Sequence, residues 1–264
     1  MDFELAKSLF VDSEENEHYV ALSNSRNAYS RLVNSVKNPF KIILMYGRPG
    51  TGKSYIMQMF YNNYKDSLNV LYFKEPVFEK EYALKKIYKE ITKKDPPADA
   101  TNGQLLDMFK QEIKSEMYIL LDEAQLYDEE TLEWIRILSN QKIFKFIISV
   151  HKLDKEDILA KEHFKTRTFE TIELGLLTLD EVEQYIGKKL LLGNSLELVS
   201  LLSKGNYKKI HQYTKGNLRD INRLLYRLIE ILETRMHNAK SFFGNSMKNK
   251  YIEMAALDLK MING

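Results

Sequence analysis

Cysteine is absent from all 264 residues, which excludes a disulfide framework, cysteine-ligated zinc and thiol catalysis, and fits a reducing compartment. No window approaches the roughly 18 consecutive apolar residues that a spanning helix needs. The opening MDFELAKSLFVDSEENEH has neither the basic lead nor the apolar stretch of a signal peptide. The expected location is therefore cytoplasmic, with no direct membrane insertion and any peripheral role at the inner membrane supplied through a partner. The five histidines, His18, His151, His163, His211 and His237, lack metal-ligand spacing. No G-x-S-x-G acyl-transfer signature, helix-turn-helix, zinc finger or fixed-period repeat occurs either. A formal charge of +2 decides little, while 44% hydrophobic and 29% charged residues are ordinary for a globular chain and argue against disorder.

What is present is an alternation of strand-length apolar runs with segments of helical period. The runs are KIILMY (41–46), NVLYF (69–73), MYILLD (117–122), FKFIISV (144–150) and ETIEL (170–174). Their unbroken apolar character predicts strands buried on both faces, as in a parallel sheet covered by helices, so the fold class is α/β. Helices are expected over 53–64, 79–91, 102–114 and 129–140, with the proline-bearing loop 93–103 between two of them. After about residue 176 strand signals stop and the rest reads as helices, LELVSLLSKG (196–205) as one of them. The expected organisation is a lead-in over 1–40, an α/β core over 41–175 and an all-helical lid over 176–264.

The first run empties into GRPGTGKS. Gly47, Gly52, Lys53 and Ser54 fit G-x-x-x-x-G-K-[ST], placed as that motif requires between a strand and a helix. Glycines let successive N–H groups turn inward toward phosphate oxygens, and the following helix offers its positive end to the same charge. Gly47, Arg48, Pro49, Gly50, Thr51, Gly52, Lys53, Ser54 and Tyr55 are the candidate ATP/ADP contacts, with Lys53 reaching the β- and γ-phosphates and Ser54 binding Mg²⁺. A strand ending in Asp122-Glu123 is by itself more often a surface turn or a helix N-terminus. About seventy residues after a phosphate loop, it puts Asp122 near the Mg²⁺ and Glu123 where it can polarise a water as general base.

With both motifs in hand, the chain resembles the AAA+ ATPases, and among them the ExeA/GspA-type ATPases of secretion and pilus systems and the related TniB/MuB-like transposition ATPases. The resemblance rests on GRPGTGKS, LLDEAQ, FKFIISVHKL, FKTRTFETIELGLLTLDEVEQYI and KGNLRDINRLLYRLIE and covers nearly the whole chain. It implies a P-loop NTPase sheet with a C-terminal helical lid, and Mg-dependent ATP hydrolysis. It also implies roles by position. His151 occupies the sensor-1 place after the fourth strand, with Ser149 as the substitute. Arg167 stands where relatives send an arginine finger into a neighbouring subunit, with Lys165 as its rival, and Arg219 matches the sensor-2 arginine of the lid. Tyr19 and Val20 lie in a segment that sits beside the adenine in relatives. A finger used in trans requires a self-associating oligomer, ring or otherwise, and the resemblance implies a motor or switch serving a membrane-associated secretion, type IV pilus or DNA-uptake partner.

Residues 203–250 carry eleven Lys and Arg against Asp220, Glu230 and Glu233. In the helix from Asn217, Ile221, Leu224, Leu225, Leu228 and Leu232 form the expected buried stripe, leaving Arg219, Arg223 and Arg227 on another face. A solvated face explains these arginines simply. DNA phosphates, an acidic partner or a neighbouring subunit are the alternatives, and any DNA contact is expected to be to the backbone with little base reading.

Overall fold

A computed structural model describes residues 2–11, 20–77, 79–97, 99–112, 115–151, 168–238 and 247–263. The chain divides into two compact units, 27–174 and 1–26 with 175–264.

The first unit holds the sheet. Its strands are β1 (Ile42–Gly47), β2 (Asn69–Phe73), β3 (Met117–Leu121), β4 (Phe144–His151) and β5 (Thr168–Glu173), all parallel in the order β2-β3-β4-β1-β5. Parallel neighbours cannot be joined by hairpins, so helices make the crossovers. They are α3 (Lys53–Tyr64), α4 (Lys80–Thr92), α5 (Asn102–Glu112) and α6 (Glu129–Ser139). Side chains of a strand alternate between faces, and the unit uses both. Ile42, Phe146 and Ile148 share one core with Leu84, Phe109 and Ile135 of α4, α5 and α6. Ile43, Met45 and Ile147 share the other with Ile56, Met57 and Phe60 of α3 and with Leu32. This double cover is why the strands read as unbroken apolar runs. Enclosing a side chain such as Phe60 contributes about 1.5–3 kcal/mol. The observed β5 starts two residues earlier than the sequence suggests. It is an edge strand in which only Ile172 is buried, so its apolar signal is weak.

The second unit combines α1 (Phe3–Ser8) with α7 (Leu179–Leu192), α8 (Leu196–Leu201), α9 (Lys204–Thr214), α10 (Leu218–Asn238) and α11 (Asn249–Asp258) around one apolar core. The stripe Ile221, Leu224, Leu225, Leu228 and Leu232 is buried as expected. The run LELVSLLSKG, read as one helix, is interrupted instead. Leu202 and Ser203 turn to extended backbone, and Ser203 and Asn206 form a capping box that starts α9. Residues 1–40, expected as a single lead-in, are shared between the units, and the division falls within α2 (Ser23–Val36), between Arg26 and Asn27. Ala28 and Leu32 of that helix join the sheet's core, whereas Asn24 donates from its main chain to Glu181 at 3.0 Å and from its side chain to the Gly175 carbonyl at 3.2 Å. Among the described residues no helix is long and apolar enough to cross a membrane.

Candidate active site

Strand order decides what meets at the carboxyl end of the sheet, where open α/β folds bind ligands. Because β4 lies between β1 and β3, the tips of β1 and β3 are two strand spacings apart, about 10 Å. Residues at the end of β4 fill the gap, with His151 in register with Gly47 and Ile148 with Leu121.

At the tip of β1 the chain closes on itself. A Cβ at Gly47 would sit 2.3 Å from the Leu174 carbonyl oxygen and 2.9 Å from Thr51 Oγ1, so only glycine fits there. Gly50 and Gly52 take φ of 79° and 95°, the left-handed region that costs glycine nothing. Thr51 turns back to the Arg48 carbonyl with its N–H at 3.3 Å and its hydroxyl at 2.9 Å. Gly52 then starts α3, whose first turn carries no acidic side chain to neutralise its positive end. Lys53 is only 4% exposed, and its ammonium donates to the carbonyls of Gly47 at 2.9 Å and Arg48 at 3.1 Å. A buried cation folded onto its own loop, beneath an uncompensated helix N-terminus, is a site prepared for an anion.

At the tip of β3, Asp122 is 3% exposed and fully engaged by donors. Tyr72 Oη donates to Oδ2 at 2.9 Å, the Glu123 N–H donates to Oδ1 at 3.0 Å, and Ser149 Oγ also donates to Oδ1. Tyr72 Oη further reaches the main-chain oxygen of Ser54 at 3.4 Å, linking the carboxylate to the phosphate loop. Among the described residues no group of three His, Asp or Glu side chains could cage a metal. One buried carboxylate, linked through Tyr72 to the main chain of Ser54, instead suits Mg²⁺, a hard ion that keeps waters and takes its remaining ligands from substrate phosphates.

Glu123 has φ 54° and ψ 36°, a left-handed conformation that a residue with a Cβ adopts at a cost of about 1–2 kcal/mol. It opens the 3-10 turn Ala124–Leu126, and its side chain meets the end of β4. His151 Nε2 lies 3.0 Å from Glu123 Oε1, and Gln125 Nε2 donates to Oε2. The same amide nitrogen is 3.2 Å from His151 Nδ1, while Gln125 Oε1 accepts from the His151 N–H at 3.0 Å. Burial and the Lys53 charge hold the imidazole below its usual 6.5, against the opposing pull of Glu123, so the ring is neutral near neutrality.

The structure thus brings together residues 47–55, Asp122, Glu123 and His151. Ser149, the substitute for His151, is buried and donates to Asp122 Oδ1. Tyr72 and Gln125 were not singled out from sequence. A tyrosine near the end of a β-strand carries no signal, and Gln125 was visible only as the last letter of DEAQ. Val20 and Arg219 belong to the helical unit. Val20 is buried in its apolar core. Arg219 is exposed in the first turn of α10, where its N–H donates to the Asn217 side chain at 3.1 Å. Tyr19, Lys165 and Arg167 lie outside the described residues.

An AAA domain family matches residues 38–159. No curated protein matches the sequence. Among solved structures, the fold is shared with the Cdc6p protein of Pyrobaculum aerophilum at 18% identity and TM-score 0.62, covering 87% of this chain and 66% of that one. It is shared too with the RuvB Holliday junction branch migration motor of Thermotoga maritima at 14% and 0.58, covering 95% and 73%. The ORC1 protein of Aeropyrum pernix, solved in complex with DNA, aligns at 14% and 0.60, covering 96% and 69%. The chain therefore spans about two thirds of the length of the first of these. The match to the AAA domain model and the likeness to these structures show the P-loop NTPase AAA fold, a parallel five-stranded sheet flanked by helices.

Proposed function

We propose that the protein is a switch ATPase that holds Mg-ATP between the Gly47–Tyr55 loop and the Asp122-Glu123 pair and hydrolyses it with Glu123 as general base. The observation that supports this best is β4 bridging the two tips, so that a buried ammonium and a buried carboxylate face one end of the sheet. Bound Mg²⁺ would supply charge neutralisation at the phosphates, with Ser54 and Asp122 as its protein-side partners. Lys53 exchanges the Gly47 and Arg48 carbonyls for phosphate oxygens. Glu123 accepts a proton from water, and His151 stands beside it. Arg167, delivered by a neighbouring copy, neutralises charge on the transferred group. By the sequence resemblance alone, Arg219 is assigned the sensor-2 role and Tyr19 and Val20 the adenine-side role. Glu123→Gln is expected to retain ATP while slowing turnover by on the order of 100-fold or more. Unchanged turnover removes Glu123 from the chemistry.

For the work this turnover drives, assembly of a secretion, type IV pilus or DNA-uptake system rests on the sequence resemblance alone. A non-specific DNA role has further support, because one structural neighbour is a branch migration motor and another was solved with DNA. Within the basic segment, Arg227 is ion-paired with Glu230 and Asp258, and Lys209 with Glu253. The DNA reading therefore turns on exposed Lys204, Lys208, Lys215 and Lys248. It predicts ATP-dependent binding of duplex DNA that weakens steeply with salt. Fluorescence anisotropy across a salt series tests this, and absence of binding at low salt with ATP returns the choice to the assembly role.

A further inference from the structure

Assigning Glu123 as the base leaves Gln125 without a part, although it touches both Glu123 and His151. Its amide orientation follows from one main-chain group. The His151 N–H can only donate, so Gln125 presents Oε1 to it at 3.0 Å and turns Nε2 the other way. That nitrogen can only donate, and it meets the Glu123 carboxylate and, at 3.2 Å, His151 Nδ1. Nδ1 must then be the acceptor, which leaves the ring proton on Nε2. Nε2 lies 3.0 Å from Glu123 Oε1 and donates to it. Each donor in the cycle finds an acceptor, and reversing any one member sets two donors or two acceptors against each other.

We propose that Gln125 is a positioning residue for ATP hydrolysis: it selects the Nε2–H tautomer of His151 and, together with that ring, fixes the Glu123 carboxylate at the end of β3. This rests on the reading of Glu123 as the base. The need for such a device lies in the backbone. Glu123 occupies a left-handed conformation at the start of a short 3-10 turn, and its side chain reaches toward a neighbouring strand. Residues held this way keep their geometry only where the surroundings over-determine it. Gln125 supplies that by tying the turn after β3 to the main chain of β4 and to both site side chains. A base misplaced by even about 1 Å loses much of its effect. A half-buried polar cluster with no bearing on chemistry is the alternative.

The test uses the full chain with Gln125→Met, which keeps length and removes both hydrogen-bonding ends, and Gln125→Glu, which keeps the acceptor and removes the donor. Three quantities are read: kcat at saturating Mg-ATP, ATP affinity by titration, and the ¹⁵N signature of the His151 ring. Both variants are expected to lower kcat about tenfold with ATP affinity held within about twofold. The Nε2–H signature of the wild type should be lost in Gln125→Met. Should Gln125→Met fail to fold, Gln125→Asn, one methylene shorter, carries the same expectation. Unchanged or raised kcat, a parallel loss of ATP affinity, or a retained Nε2–H signature overturns the proposal. A wild type that binds ATP without turnover overturns the Glu123 assignment as well; normal wild-type turnover with unaltered variants overturns the Gln125 role alone.

Discussion

His151 shows how far a single residue could be read. Its position after the fourth apolar run marked it as a polar residue at the strand end. The sequence did not reveal that Gln125 accepts from its main chain or that its ring meets Glu123, because those contacts depend on β4 lying beside β3. The same holds for Tyr72 and Ser149, which meet on Asp122 from two different strands. Lys53, Ser54, Asp122 and Glu123 were legible because a short-range pattern places them. His151 also gives a stability prediction. Its pKa is lowered on folding, so the unfolded chain binds more protons as pH falls through the ordinary value of 6.5. The stabilisation is complete above that value and declines below it. Thermal melts of His151→Asn should therefore show a shallower loss of Tm than wild type between about pH 7 and about pH 5. Equal slopes would mean that His151 is not held neutral by the fold.

At the level of elements, the sheet was readable to within a residue or two because its two-sided burial writes unbroken apolar runs into the sequence. The edge strand β5 was less clear because one face is open. The α8–α9 break was missed since the apolar residues run on to Leu202, while the signal lay in Ser203 and Asn206 as a cap. The tight element is the joint of β1 with the phosphate loop. Leu174 N–H donates to the Tyr46 carbonyl at 2.8 Å, which brings the Leu174 carbonyl against Gly47. Gly47→Ala is expected to destabilise by roughly 1–3 kcal/mol through overpacking, and to weaken ATP binding as the loop is displaced. Denaturant unfolding and nucleotide titration check both. Wild-type stability and affinity together would mean that the loop has room the geometry denies it.

For the whole molecule, the run of helices after the sheet was legible from the end of strand signals near residue 176. The sharing of the first forty residues was not, because a helix such as α2 carries no mark of which core its two ends will join. Arg167 belongs to this scale, since an arginine acting on a neighbour's nucleotide is a property of an assembly. Arg167→Ala should leave ATP affinity nearly intact while abolishing the rise of specific ATPase activity with protein concentration, as followed by steady-state assays over a dilution series. A dilute, monomeric wild type with full activity would dismiss an arginine supplied in trans. Beneath all of these lies the meeting of a triphosphate with the Lys53 ammonium and the N-terminus of α3, which isothermal titration calorimetry tests most directly. Mg-ATP and Mg-ADP should release binding heat with the wild type and none with folded Lys53→Ala; a folded wild type that gives no heat, or a Lys53→Ala that binds as tightly, would contradict the account.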